Sequence, residues 1–276
     1  MGVPAAPRPM APPSVPPESH GSGASVAPSV LTAPGLAALA REIDLDLTAA
    51  QSGTLVQYAE LLRRWNRVHN LTAVDSEADL LTHHLLDCLA IVRPIEEALA
   101  HHAAGQQAAQ AVHFLDAGSG AGLPGIPLAV ARPLWRGVLV DAVQKKCAFL
   151  QQAQVELRLP NITVRHARLE TGSLGTHDII VSRAFASLRD FVTLTRPLLR
   201  PNGLWIAMKG RNPAEELADL PDGIEAVDTS TLRVPQLAEQ RHLVVLRPRP
   251  YPGPAAATRG APPAPTAREP GAARNR

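Results

Sequence analysis

The sequence predicts an α/β fold in which a largely parallel sheet is covered by helices on both faces. From residue 112 onward, short apolar runs alternate with stretches of helical spacing, the pattern of successive βαβ units. The first of those runs ends in an acid and a cluster of glycines, which is how a parallel sheet brings a backbone loop up to a ligand. A third observation bounds the fold. Of 27 prolines in 276 residues, nine lie in 1–34 and eight in 247–276. Pro-dense segments with few large apolar residues cannot offset the entropy of ordering, so 1–34 and 248–276 are expected to be disordered tails, the second one basic.

Between the tails, 35–110 reads as an N-terminal helical region. Thr48-Ala49-Ala50-Gln51 has the form of a capping box, and behind it Leu55, Tyr58, Leu62, Trp65 and His69 recur at helical spacing. Glu60, Arg63, Arg64 and Arg67 take the other side of that helix. Ser76-Glu77-Ala78-Asp79 opens a second helix over 80–90, and 94–100 reads as a short third one. The Ala- and Gln-rich stretch 101–111 reads as a surface connection. In 111–247, strands are expected at 112–117, 137–141, 161–165, 178–181, 203–208 and 243–246, with helices at 143–157 and 188–199.

Charge is unevenly distributed. Residues 247–276 carry six Arg and one Glu, whereas 35–246 hold 20 basic against 23 acidic residues, so the net +2 comes from the tail. No run of about 18 apolar residues exists, and no membrane span is expected. The N-terminus lacks the apolar core of a signal peptide, which points to the cytoplasm. Cys88 and Cys147 have no partner spacing for a disulfide framework or a zinc knuckle and read as small core residues.

The most informative stretch runs from Phe114 to Pro127. Gly120, Gly122 and Gly125 satisfy G-x-G-x-x-G, the dinucleotide fingerprint. Asp116 with Gly118, Gly120 and Gly122 instead forms D-x-G-x-G-x-G, the pattern of S-adenosylmethionine-dependent methyltransferases. The dinucleotide reading needs its first glycine directly after the strand, and Pro124 and Pro127 each remove a donor from the first turn of the following helix. Asp141, 19 residues beyond Gly122, ends the second strand where an acid accepts hydrogen bonds from a ribose diol. It fits either cofactor.

Six motifs, in order, resemble the ribosomal RNA small subunit methyltransferase G family, also called glucose-inhibited division protein B. They are Trp65-Asn66-Arg67-Val68-His69-Asn70-Leu71-Thr72, His84-Leu85-Leu86-Asp87, the loop 118–127, Ser182-Arg183-Ala184-Phe185-Ala186, Lys209-Gly210 and Glu239-Gln240-Arg241-His242-Leu243-Val244-Val245. The resemblance covers roughly 47–247 and departs from the family pattern at His83, Cys88 and Ala121. It implies a Rossmann-like S-adenosylmethionine-dependent methyltransferase fold with an N-terminal helical extension, 111–247 being the cofactor-binding domain. It further implies methyl transfer to N7 of a guanine in 16S ribosomal RNA, free or in the 30S subunit, by a monomer without a metal. The cofactor positions it implies are Gly118, Leu123, Leu169, Glu170 and Arg183, to which the ribose argument adds Asp141.

The target atom has an independent argument. Methylating C5 of a pyrimidine needs a Cys nucleophile near the fourth strand, and neither cysteine falls there. Exocyclic amines are commonly methylated by enzymes with Asn/Asp-Pro-Pro-aromatic after strand four, where this chain has Ser182-Arg183-Ala184-Phe185. Guanine N7 has a free lone pair and no proton, so it needs no base, only proximity and in-line orientation. His83 and Asp87, at i, i+4, read as a hydrogen-bonded pair on a helix surface, since a third metal ligand is not evident. Arg63, Arg64 and Arg67, and Lys209 with Arg211, are candidate phosphate contacts. Two other readings stay open on residues alone: a nicotinamide-dependent oxidoreductase, and a non-catalytic RNA-binding adaptor using the basic tail.

Overall fold

A computed structural model describes residues 31–249 apart from 75, 103–110, 171–172 and 184. The proposed tails therefore lie almost wholly outside the described residues. The helical region begins slightly earlier than the composition suggests: α1 (Ala33–Arg41) is capped by Thr32, and Leu31 is buried.

Helix α2 (Ala49–His69) starts with the expected capping box, Thr48 and Gln51 bonding each other's backbone amides. The side-chain Nε2 of Gln51 also donates to the carbonyls of Val130 and Ala131, so one side chain closes the start of α2 and the end of α6 (Gly125–Ala131). After α2, Asn70 turns the chain in the left-handed conformation (φ 48°). Buried Asn66 accepts the Thr72 amide at 2.8 Å, and the Thr72 hydroxyl meets His84 Nε2 at 2.8 Å.

The helix expected over 80–90 is wound differently. A single turn, α3 (Glu77–Asp79), leads into a π-helix (Leu80–Leu86) and a second turn, α4 (Asp87–Leu89). The i→i+5 repeat of the π-helix shifts the faces of the residues after it. Asp87 is 3 % exposed, paired with Arg183 and Arg241 rather than with His83 on the surface. Helix α5 (Val92–His102) extends through both histidines that the sequence places in a connection; 103–110 lie outside the described residues.

The seven strands are β1 (His113–Ala117), β2 (Arg136–Asp141), β3 (Ile162–His166), β4 (His177–Ser182), β5 (Leu199–Lys209), β6 (Ile224–Leu232) and β7 (Arg241–Pro248), in the order β3-β2-β1-β4-β5-β7-β6. The first five are parallel and β7 is antiparallel to both of its neighbours. Three differences from the sequence reading stand out. Strand β5 begins at Leu199, because α8 (Leu188–Thr195) gives way to a 3-10 turn at Arg196–Leu198. Strand β6 is an edge strand whose mostly polar, half-exposed residues carry no apolar run. A short helix, α9 (Ala214–Ala218), also lacks an apolar signature, with no buried residue.

Alternate residues of each strand face opposite sides. Phe114, Leu139, Ile179 and Ile206 join one core with α1, α2, α5, α6 and Phe149 and Leu150 of α7 (Gln144–Glu156). Leu115, Val140, Ile180 and Trp205 join a second with Leu188, Phe191 and Val192 of α8. The N-terminal helices therefore share a core with the sheet. Trp205, fully buried, donates its indole N–H to Thr195.

Gly137 tests how tightly the first core is packed. A Cβ there would enter the ring of Phe114, itself buried beside Trp135. We expect Gly137→Ala to cost about 1–3 kcal/mol through overpacking, read as a lower urea midpoint with an unchanged slope.

Candidate active site

Four parallel strands end along one edge, at Ala117, Asp141, His166 and Ser182. Strand order reverses between β1 and β4, which opens a crevice at that edge. Each sequence-derived site residue follows one of these ends. Gly118 and Leu123 follow β1, Asp141 ends β2, Leu169 and Glu170 follow β3, and Arg183 follows β4.

The glycine loop is held by its surroundings. The amides of Gly118 and Ser119 both donate to the Val140 carbonyl, and the Gly120 amide donates to Asp141 Oδ2 at 2.9 Å. Tyr58, fully buried on α2, donates its hydroxyl to the Ala121 carbonyl at 2.6 Å. Leu123 is buried below the loop. Gly118 has φ 73°, and a Cβ built on it meets no protein atom within 4 Å. Space above a backbone that only glycine adopts readily is the cradle expected of a ligand loop.

Asp116 decides between the two glycine motifs. Its Oδ2 accepts the Gly125 amide at 2.9 Å, and a Cβ on Gly125 would lie 2.5 Å from that oxygen. The first turn of α6 is thereby closed by a protein carboxylate, and Pro127 supplies no donor. A pyrophosphate has no helix N-terminus to sit on, which removes the structural basis of the dinucleotide reading. Burial raises the Asp116 carboxyl to about 7, opposed by the Gly125 amide and by Arg183. Its Oδ1 is buried, with no hydrogen-bond partner among the described residues.

Asp141 is 6 % exposed, and its two oxygens accept the amides of Gly120 and Val143. It staples the loop to the end of β2, with the Lys146 ammonium 3.6 Å from Oδ2. Leu169 is half-buried against the second core, and Glu170 is exposed. Arg183 does not lie free on the surface. Its Nη1 donates to the His83 carbonyl at 2.9 Å and lies 3.4 Å from Asp87 Oδ2. Arg241 of β7 reaches the other Asp87 oxygen at 3.3 Å. Burial raises the Asp87 carboxyl even so, against both guanidinium groups.

Sequence reasoning missed Tyr58, Asp87 and Arg241 as parts of this assembly. Tyr58 was visible only as a helical core position, Asp87 was read as a surface partner of His83, and Arg241 sat inside a motif with no assigned role. The candidate phosphate residues are largely engaged: Arg63 pairs with Glu77, Arg64 with Glu156, and Lys209 with Glu216. Cys88 and Cys147 are buried, and burial raises both thiols. Among the described residues no group of three or more His, Cys, Asp or Glu could hold a metal ion, and no helix is long and apolar enough to cross a membrane.

A seven-stranded sheet of this order with β7 antiparallel, and a glycine cradle flanked by acids on β1 and β2, define the class of S-adenosylmethionine-dependent methyltransferases. The chain belongs to the rRNA small subunit methyltransferase G family, whose GidB model matches residues 51–244. It is 48 % identical over 212 residues to the ribosomal RNA small subunit methyltransferase G of Methylibium petroleiphilum, covering 77 % of this chain and 92 % of that protein. The corresponding protein of Leptothrix cholodnii is 44 % identical over 214 residues, covering 78 % and 94 %. That of Paracidovorax citrulli is 44 % identical over 232 residues, covering 82 % and 93 %.

Asp116 should leave a signature in the pH dependence of stability. The native state holds its proton up to about pH 7, whereas the unfolded chain releases it near 3.8. The unfolded chain thus binds fewer protons across that window, and this group's contribution to stability falls as pH rises through it. Buried His84, lowered to about 4, works in the opposite direction. We expect the melting temperature of Asp116→Asn minus that of wild type to increase from pH 4.5 to 7.5; a constant difference would show that Asp116 is not perturbed.

Proposed function

We propose that the protein transfers the methyl group of S-adenosylmethionine to N7 of a guanosine in 16S ribosomal RNA. The observation that carries this reading is the open cradle over Gly118, in a chain of a family named for methylation of small-subunit ribosomal RNA. We assign Gly118 and Leu123 to the loop contacting the donor, Asp141 to its ribose, Leu169 and Glu170 to the wall after β3, and Arg183 to the wall after β4. We further infer action in the cytoplasm, by a monomer, on 16S RNA or the 30S subunit.

When bound, the donor supplies an electrophilic methyl group on a cationic sulfur. The chain's part is to orient and to exclude water. Tyr58, Asp116 and Asp141 keep the loop rigid, so little ordering is left for the moment of binding. The His83 carbonyl and Asp87 hold Arg183 at the edge, and Arg241 in turn holds Asp87. N7 carries a lone pair and no proton, so the chemistry asks for no base at this edge. Rate enhancement then rests on proximity and preorganised charge. Neither an oxidoreductase nor a non-catalytic adaptor finds support in the three relatives described above, each named a methyltransferase.

The test is transfer of labelled methyl groups to 30S subunits lacking this modification, with mapping of the labelled base. One guanosine, modified at N7, is the expected product; label on another base or another atom would overturn the assignment. We expect Gly118→Asp to weaken binding of S-adenosylhomocysteine at least about tenfold, because its side chain occupies the cradle from a φ that favours glycine. Titration calorimetry with a parallel melting curve separates lost binding from lost folding.

A further inference from the structure

We infer that the substrate RNA lays its phosphate backbone along the β3 edge of the sheet, where exposed arginines and a lysine flank the cofactor crevice; the inference rests on the function proposed above. Charge in the folded part is sorted along the sheet. Residues 132–170, which run through β2, α7 and β3, hold seven basic and three acidic residues, whereas the rest of 35–246 holds 13 against 20. Residues 214–228, covering α9 and the first half of β6, carry six acids and no Lys or Arg. Strand order sets β3 and β6 at opposite edges of the sheet. At about 4.8 Å per strand spacing, the two edges are roughly 29 Å apart.

Ion pairing sharpens the contrast. On the β3 side Arg136, Lys145, Arg158, Arg165 and Arg168 are all exposed, and none forms an ion pair with a described residue. Two of the three acids on that flank are already engaged, Asp141 by Lys146 and Glu156 by Arg64. On the β6 side it is the cations that are engaged. Lys209 faces Glu216, Arg189 faces Asp219, and Arg247 and Arg249 face Glu225. Glu215, Asp222 and Asp228 are left there without an ion pair to a described residue.

The basic flank reaches the crevice. Asp141, ending β2, pairs in register with His166, ending β3, and the His166 ring bonds the Ala142 carbonyl. Lys145, in the first turn of α7, donates to the His69 carbonyl at the end of α2 at 3.0 Å. Arg165 and Arg168 flank His166 in the chain, and Arg158 precedes the start of β3. Nucleic-acid phosphates match this surface. Cations without a partner can displace the counterions of a polyanion, whereas cations already in ion pairs have far less to gain. Such contacts fix orientation without reading sequence. The acidic edge repels the same polyanion, so the field presents the β3 edge to the RNA first.

The test compares two full-length variants that lose the same two positive charges. Arg158→Gln/Arg165→Gln lies on the β3 edge, and Arg189→Gln/Arg249→Gln lies on the acidic side. Binding to unmodified 30S subunits is measured across a salt titration. We expect the β3-edge pair to lower the slope of log affinity against log salt by about 1.4–1.8, the loss of two phosphate contacts, and to weaken binding several-fold at low salt. The acidic-side pair should keep the wild-type slope. Both should keep the wild-type affinity for S-adenosylhomocysteine, which shows that the fold and the cofactor loop are intact. A wild-type slope in the β3-edge variant, or an equal fall in both variants, would overturn the inference. Failure of wild type to methylate any guanosine would instead remove the proposed function on which it rests.

Discussion

Gly118, Gly120 and Gly122 bring no side chains to their loop, so its shape has to be imposed by neighbours from three directions. Asp116 fixes the amide of Gly125 from beneath, Asp141 takes the amide of Gly120 from β2, and Tyr58 takes the carbonyl of Ala121 from α2. Each bond is buried or nearly so, where an unmade partner is costly. The cradle, the crevice and the approach of a donor all presuppose this arrangement. It also explains why the N-terminal helices share the sheet's core: without α2 in place, one of the three supports is missing.

A second constraint joins distant parts of the chain. Asp87, brought inward after the π-helix, lies between Arg183 after β4 and Arg241 on β7. A buried carboxylate facing two guanidinium groups is expensive to leave half-paired, so the three segments have one favourable mutual position. Thr72 and His84 add a neutral tie between the loop after α2 and the same π-helix. Segments scattered from residue 66 to residue 241 thus meet around the strand ends.

Much of the architecture was legible in the sequence because its signals are local. The capping box at Thr48, the apolar strands and the glycine loop follow from neighbouring residues, and the structure shows them where the pattern places them. What escaped was set by tertiary contact. The π-helix has an ordinary helical sequence, β6 is an edge strand with little to bury, and β5 begins with a Pro-Asn-Gly stretch that reads as a turn. At the site, the same distinction holds. Asp116 and Asp141 announced themselves by their offsets from glycines, but the burial of Asp87 goes with partners about 100 and 150 residues away, Arg183 and Arg241, that no spacing rule reports.

The hydroxyl of Tyr58 makes the docking of α2 and the ordering of the glycine loop a single equilibrium. Anything that binds the ordered loop must, by linkage, tighten α2 against the sheet, and anything that loosens α2 must weaken the ligand by the same factor. The bound nucleoside would then slow hydrogen exchange in amides of α2 that it never touches. Gln51, closing the start of α2 and the end of α6 together, extends that coupling back to the first turn of the helix.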